Sequence, residues 1–410
     1  GKKLRELLLE RKTIQRIVSF GANQVFQNKT TYTSLLILKN QEQEKLEYFE
    51  VNNLKDWKIR NVDEKGFELI EFSELNKDGW ILVPQKLKSA FETINAQSDS
   101  LENLVGSDAV YNGIQTSAND TYIHSATRVD EKYRYFSKDG IDWKIEKTLT
   151  RPYFRTSRGE DNLNTYRPFV PNSFVIYPYL KTDEGIEFVE IEQLKTDFPN
   201  AFLYLSHYQD NLDNPKRDIK PTPQTSGEWY RYGRHQSLDK CDVPAKIIVG
   251  VLSQGDKYAI DYHGTLISSG GTAGYCMITL PDDSLYSIYY IQALLNSKYL
   301  EWYSALIGEV FRGGYIARGT KVLKRLPIRI IDFCDEKDIA LHNKIATLQE
   351  GLINLQGKID TNSGNNRKLV PLQRQFAIKK DELSDLLKVL YDLGEDDSLI
   401  PLIKEVYAIN

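Results

Sequence analysis

The sequence lacks most of what would mark a stapled, membrane-embedded or strongly basic protein. Only three of its 410 residues are cysteine, Cys241, Cys276 and Cys334, and none has a partner at paired spacing, which excludes a disulfide framework and a thiolate zinc site. No apolar run approaches the roughly 20 residues that a helix needs to span a bilayer. Positive charge is not in excess either: 53 Lys and Arg stand against 57 Asp and Glu, a net charge of −4, so a nucleic-acid partner requires cations gathered locally. Methionine is nearly missing, with Met277 alone, and the chain opens at Gly1 on a charged helical pattern without a signal peptide. A fragment of a longer protein from a reducing cytoplasm is expected.

Catalytic signatures are absent as well. Asp282 with Asp335-Glu336-Lys337 nominally fits a metal-dependent nuclease, yet Asp-Glu-Lys recurs at 63–65 and 130–132 and is background in so charged a chain. Ser268-Ser269-Gly270-Gly271-Thr272-Ala273-Gly274 is followed by a β-type run rather than a helix, so it reads as a glycine turn that could let backbone approach a ligand, not as a phosphate loop. The histidines at 124, 207, 235, 263 and 342 have no second metal ligand at helical or turn spacing, and no Gly-x-Ser-x-Gly elbow exists. The chain alone carries no catalytic motif.

Periodicity predicts an α+β protein. A helix end over 4–12 precedes strands at Ile14–Phe20 and Tyr32–Leu38. Leu35-Leu36-Ile37-Leu38 has the continuous apolarity of a strand covered on both faces, as in the closing strands of an α/β sheet. Residues 41–105 are polar and read as a connector. Between 106 and 330, short runs rich in Tyr, Ile, Val and Phe alternate with Gly, Pro, Asn and Asp turns. Lys246–Val251, Lys257–Asp261, Thr265–Ser269 and Tyr275–Leu280 predict an antiparallel meander. Ile291 to Leu306 predicts one amphipathic helix. From 331 to 410, Ile345, Leu348, Leu352, Leu355 and Ile359, then Phe376, Leu383, Leu387 and Leu390, predict a helical hairpin around a polar loop at 361–368.

Arginines interleaved with aromatics are what the sequence does offer. Lys144, Lys147, Arg151, Tyr153, Arg155 and Arg158 form one cluster, and Trp229-Tyr230-Arg231-Tyr232-Gly233-Arg234-His235 another. Phe311-Arg312-Gly313-Gly314-Tyr315-Ile316-Ala317-Arg318 flows into Lys321. Arginine forks suit phosphate oxygens and guanine edges, and glycine lets backbone come close to a duplex. Any one cluster fits equally well a core in which aromatics pack and arginines pair with acids. Together they point to duplex DNA.

Tyr111-Asn112-Gly113-Ile114-Gln115-Thr116, Trp229 to Arg234, Pro244 to Val249, and Leu294-Leu295-Asn296-Ser297-Lys298 through Phe311 to Ile328, in that order, resemble the C-terminal target-recognition regions of TaqI-like adenine-N6 DNA methyltransferases and type IIG restriction–modification enzymes. Ile17 to Gln27 and Thr30 to Thr33 resemble the closing strands of the methyltransferase domain. The resemblance implies a remnant of a Rossmann-like methyltransferase sheet (1–40), a connector (41–105), a mixed, mainly antiparallel target-recognition domain with helices (106–330) and an α-helical hairpin or spacer (331–410). It implies Gln115 as an adenine reader and Arg231, Arg234, Arg312 and Arg318 on phosphates or guanine. Lys144, Arg151, Arg155 and Arg158 would neutralise backbone phosphates, with Tyr232, Tyr315 and Lys321 beside them. Phe26 matches the aromatic that stacks on a flipped base, and core filling explains it as well. The Asn-Pro-Pro-Tyr motif and the S-adenosylmethionine glycine motif are missing, since the chain's Asn-Pro, Asn214-Pro215, continues to Lys216. The methyltransferase domain, its S-adenosylmethionine and any nuclease Mg²⁺ are therefore expected elsewhere in the same polypeptide. Two alternatives stand: a phage-defence methyltransferase without nuclease, or a carbohydrate-binding protein suggested by 25 tyrosines and by Glu190 and Glu192.

Overall fold

The computed structural model describes all residues except 27–28, 30, 52, 60–65, 78, 156–162, 168, 218, 224, 256, 271–273, 312–313 and 394–410. Predicted site residues Arg158 and Arg312 lie outside the described residues.

The chain begins with α1 (Lys2–Arg11), β1 (Ile14–Ser19), β2 (Ser34–Leu38), β3 (Lys45–Glu50), α2 (Leu54–Ile59) and β4 (Glu68–Glu71). Their strands form one sheet ordered β2-β1-β3-β4, with β1 and β3 parallel and the other pairs antiparallel. Ile14 and Ile17 pack with Leu8, Leu46 and Ile70, while Val18, Phe20 and Val51 pack toward Trp57. β1 is thus covered on both faces. The stretch read as a connector supplies β3 and β4 to this sheet. β2 departs from expectation: Leu35, Leu36, Ile37 and Leu38 are all exposed, because β2 is an edge strand with no covering layer among the described residues.

Next come α3 (Gln85–Ala96), β5 (Ser98–Ser100), α4 (Leu101–Val105), β6 (Val110–Asn112), α5 (Asn119–Tyr122), β7 (Ile123–His124), β8 (Arg128–Val129), β9 (Tyr133–Lys138), β10 (Ile141–Glu146), β11 (Thr150–Tyr153) and β12 (Ser173–Ile176). The hairpin β13 (Tyr179–Thr182) and β14 (Gly185–Phe188) leads into α6 (Ile191–Asp197), α7 (Pro199–His207) and α8 (Gln209–Leu212). Around these elements Tyr122, Tyr177, Tyr204, Tyr230 and Tyr232 pack with Phe136 and Phe174 into one aromatic core. Sixteen of the 25 tyrosines are buried, so the tyrosine richness is core material rather than a sugar platform. Glu190 and Glu192 sit at the N-terminal turn of α6.

β15 (Lys246–Gly250), β16 (Leu252–Ser253), β17 (Ala259–Asp261) and β18 (Tyr275–Ile278) follow. The antiparallel sheet runs β17-β15-β18-β6. Strand alternation sends Ile247, Val249 and Ile260 to the helical side, and Ile248, Ala259 and Met277 toward Phe154 and Ile267. The sheet is antiparallel as predicted but is not a meander: residues 265–269 leave it to bridge Ile114 and Tyr153, and β18 pairs with β15 rather than β17. The predicted single helix is two, α9 (Ile288–Leu295) and α10 (Lys298–Ile307). Ser297 caps α10 by accepting from the Leu300 N–H, and Asn296 gives its side chain to Gln292 and Tyr258, so the apolar stripe continues across a broken backbone.

After β19 (Val310–Phe311), β20 (Tyr315–Ala317), α11 (Thr320–Leu323) and β21 (Pro327–Arg329), the predicted hairpin forms from α12 (Glu336–Thr361) and α13 (Asn366–Leu390). Its seam buries Ile345, Leu348, Leu352 and Leu355 with Leu383, Leu387 and Leu390. Gln349 on α12 donates to Gln292 on α9, docking the arm onto the sheet domain. The fold is α+β, with mainly antiparallel sheets and a C-terminal helical hairpin.

Candidate nucleic-acid interface

Four separated segments converge where 265–269 leaves the sheet. The Ile114 N–H donates to Ile267 and the Ser269 N–H to Ile114; the Arg234 N–H donates to Gln115 and the Gly233 N–H to Thr116; the Phe154 N–H donates to Leu266. Backbone hydrogen bonds therefore place Gln115 directly opposite Arg234. Gly113 makes the approach possible, since a Cβ there would lie 2.2 Å from the Ile267 carbonyl oxygen. Gln236 fixes the same strand by donating to the Gly113 carbonyl at 2.7 Å.

Arg217 secures the platform from beneath. Its guanidinium donates to the carbonyls of Leu212, Trp229, Thr116 and Arg231. No sequence signal singled it out: it sits in an unremarked Pro-Lys-Arg run, and its partners are backbone groups up to 101 residues away. Beside the platform, Tyr153 is buried, which pushes its phenol up to about 12. The exposed Arg155 follows it, with its backbone clamped on both sides by Asn172 at 2.8 and 2.6 Å. Asp120 lies 3.8 Å from the Arg155 guanidinium, both largely exposed. Burial, with Arg231 close by, lowers the His235 imidazole below its ordinary value, so it adds no fixed charge near neutral pH.

The remaining predicted residues separate into two kinds. Tyr232 is buried, its hydroxyl donating to the Ile176 carbonyl and its N–H to the Tyr179 hydroxyl. Arg231 pairs with Glu228 at 2.5 Å, with side chains 14% and 10% exposed. Arg318 is 1% exposed, bonded to Glu301 and to the Gly255 carbonyl. These three are committed internally and have no access to a duplex. Arg151 is half-buried, donating to the Thr148 and Thr150 carbonyls over the Tyr177 ring. By contrast Tyr315 and Lys321 are exposed, as is Lys144 on β10. Strand register sets Lys144 in a row with Tyr135 and Arg128, whose guanidinium lies 3.9 Å from the Tyr135 ring; alternation within 128–146 was the signal that could have found them.

Phe26 is 54% exposed and does not fill a core. Its segment approaches β19: Tyr32 meets the Phe311 ring edge-on at 5.5 Å. A cavity of about 480 Å³ opens there, lined by Tyr32, Tyr48, Glu50, Trp80 and Val310. Burial raises the Glu50 carboxyl above its ordinary range, and the Tyr48 hydroxyl donates to it. Among the described residues no three His, Cys, Asp or Glu side chains gather to hold a metal ion, and no helix is long and apolar enough to cross a membrane.

The profile described as the TaqI-like C-terminal specificity domain matches residues 189–328. The chain carries a TaqI-like C-terminal specificity domain. Gln115 and Arg155 lie before the matched residues and Arg234 within them, so the platform joins the specificity domain to the segment that precedes it. Over 408 residues, 99% of the chain, the sequence is 46% identical to the type II restriction enzyme and methyltransferase RM.Eco57I of Escherichia coli, 41% of which it covers. The chain thus spans about two fifths of that relative's length. The type IIL restriction–modification enzyme MmeI, solved in complex with DNA, shares the fold with a TM-score of 0.52 at 11% identity, covering 99% of this chain and 47% of that one.

Proposed function

We propose that this chain recognises a specific sequence in duplex DNA on behalf of a larger adenine-N6 DNA methyltransferase or type IIG restriction–modification enzyme of the cytoplasm. The observation that carries the reading is the rigid pairing of Gln115 with Arg234 on a platform closed by Gly113 and Arg217. An amide suited to adenine and a guanidinium suited to guanine or phosphate sit side by side on immobilised backbone. Arg155, Lys144, Tyr315 and Lys321 supply further exposed contacts, and Phe26 offers an open ring for a base taken out of the stack.

In this reading the first sheet, as far as Glu71, completes the methyltransferase sheet, and the uncovered apolar edge of β2 supports that role. The specificity domain reads bases and the hairpin is a spacer. The methyltransferase domain of the same polypeptide holds S-adenosylmethionine, the methyl donor, and Mg²⁺ if it also cuts. The 46% identity to a restriction enzyme and methyltransferase favours this over a methyltransferase confined to phage defence without a nuclease.

Binding of this chain to a labelled duplex, titrated against salt, tests the reading. Affinity should fall steeply as salt rises, because each neutralised phosphate contributes about −0.9 to the slope of log K against log salt. A flat response overturns it. Methylome sequencing of cells expressing the intact enzyme tests the rest, and a modified-adenine motif is expected.

A further inference from the structure

Many buried or half-buried cations are paired with acids: Lys246 with Asp261, Arg231 with Glu228, Arg318 with Glu301, Lys324 with Glu102. The first half of α13 is different. From Asn366 to Lys380 it contains Arg367, Lys368, Arg374, Lys379 and Lys380 and no acid at all. Arg367, Lys368 and Arg374 are exposed, and Lys379 is half-buried. None of these four has an ion pair, whereas further along the same arm Lys344 pairs with Glu382.

Helical geometry arranges them. Leu369, Leu372, Phe376, Leu383 and Leu387, at steps of three, four, seven and four residues, share one side of the helix, toward α12. At about 100° per residue, Arg367 and Arg374 then point directly away from α12, and Lys368 and Lys379 share one flank. The row covers about 18 Å at ~1.5 Å per residue. A polyanion with closely spaced fixed charges is the partner that fits an unpaired row of this length, and duplex DNA carries about one charge per 1.7 Å.

Described contacts link this part of the arm to the platform. The loop at 163–167 packs Leu163 with Phe154, the neighbour of Arg155; its Tyr166 ring meets Phe376 of α13 edge-on at 5.1 Å, and Arg167 pairs with Asp360 of α12 at 3.2 Å. Thr165 of the same loop donates to Asn296 between α9 and α10. The arm is therefore packed against the same short loop that packs on Phe154, next to Arg155.

We propose that the first half of α13 is a second DNA contact, a sequence-independent clamp on backbone phosphates, so that the hairpin grips the duplex as well as spacing domains. This rests on the reading that the platform binds DNA. Phosphate contacts carry no sequence information but fix register, which is what an adjacent base-reading platform requires.

The test replaces Arg367, Lys368, Arg374 and Lys379 together by Gln in the full chain, preserving helix propensity, and titrates random and varied duplexes against salt. Affinity should drop about 10- to 100-fold on every duplex, and the salt slope should shrink by about 3 to 4. Unchanged affinity and slope overturn the clamp, as does loss of binding to acidic vesicles with DNA binding intact. If this variant loses helicity, Arg367→Gln with Arg374→Gln, both pointing to solvent, carries the same test with a slope change of about 2. An Arg155→Gln, Arg234→Gln variant separates the two ideas: weakened binding there with none from α13 sinks the clamp alone. A parent chain that binds no duplex sinks both.

Discussion

Residues 229–235 and 311–319 look alike in sequence, each weaving arginine through tyrosine and glycine, yet they divide their arginines differently. Arg234 stands beside Gln115 at the surface platform, whereas Arg318 is sealed under α10 against Glu301. Even within the first run, Arg231 is spent on Glu228. A basic-aromatic run thus encodes buried staples and half-exposed arginines with the same letters. What decides is where an acid sits in space, and Glu301 lies 17 residues from the arginine it neutralises.

The comparison predicts that the internal arginines govern stability, and the proposed function predicts that the platform residues govern DNA binding. Arg318→Met should give the largest effect, a loss of about 3 kcal/mol in urea unfolding, because it strips a partner from a buried carboxylate. Lys298 and the Gly255 N–H still bond Glu301, which keeps the loss at the lower end of the range. The salt slope of DNA binding should not move; if it does, Arg318 is not purely internal. Gly113→Ala comes next, at about 2 kcal/mol, since its Cβ meets backbone at 2.2 Å and the strand bearing Gln115 must shift. Here stability and sequence preference should fall together, and a stable Ala variant with intact preference breaks the platform model. Gln115→Ala should leave unfolding unchanged and cost about 1–2 kcal/mol of discrimination at one base pair, read by competition among single-base variants of the recognised site.

Legibility followed the range of the interactions. The hairpin seam from Ile345 to Leu355 was readable because its register is local, and so was β1, whose apolar residues fall within one short run. The break at Asn296-Ser297 was hidden because the apolar stripe runs straight through it while a cap and two side-chain hydrogen bonds interrupt the backbone. Leu35 to Leu38 announced a strand correctly, but not that nothing among the described residues covers it. At the platform, Gln115 and Arg234 were named from pattern and resemblance. Arg217 was not, because a guanidinium that serves four carbonyls leaves no trace in neighbouring letters. Tyr232 misled for the reverse reason: its place among arginines suggested a surface ring, and it is buried with its hydroxyl on the Ile176 carbonyl.

The margin of the first sheet sets how these residues behave in isolation. A strand with greasy side chains on both sides and unclaimed amide groups along its rim invites any similar strand to zip onto it, so copies of this chain in a test tube would tend to stick to one another there. In the larger enzyme proposed above, that same stickiness would become a seam, welding this part to whatever neighbour completes the sheet.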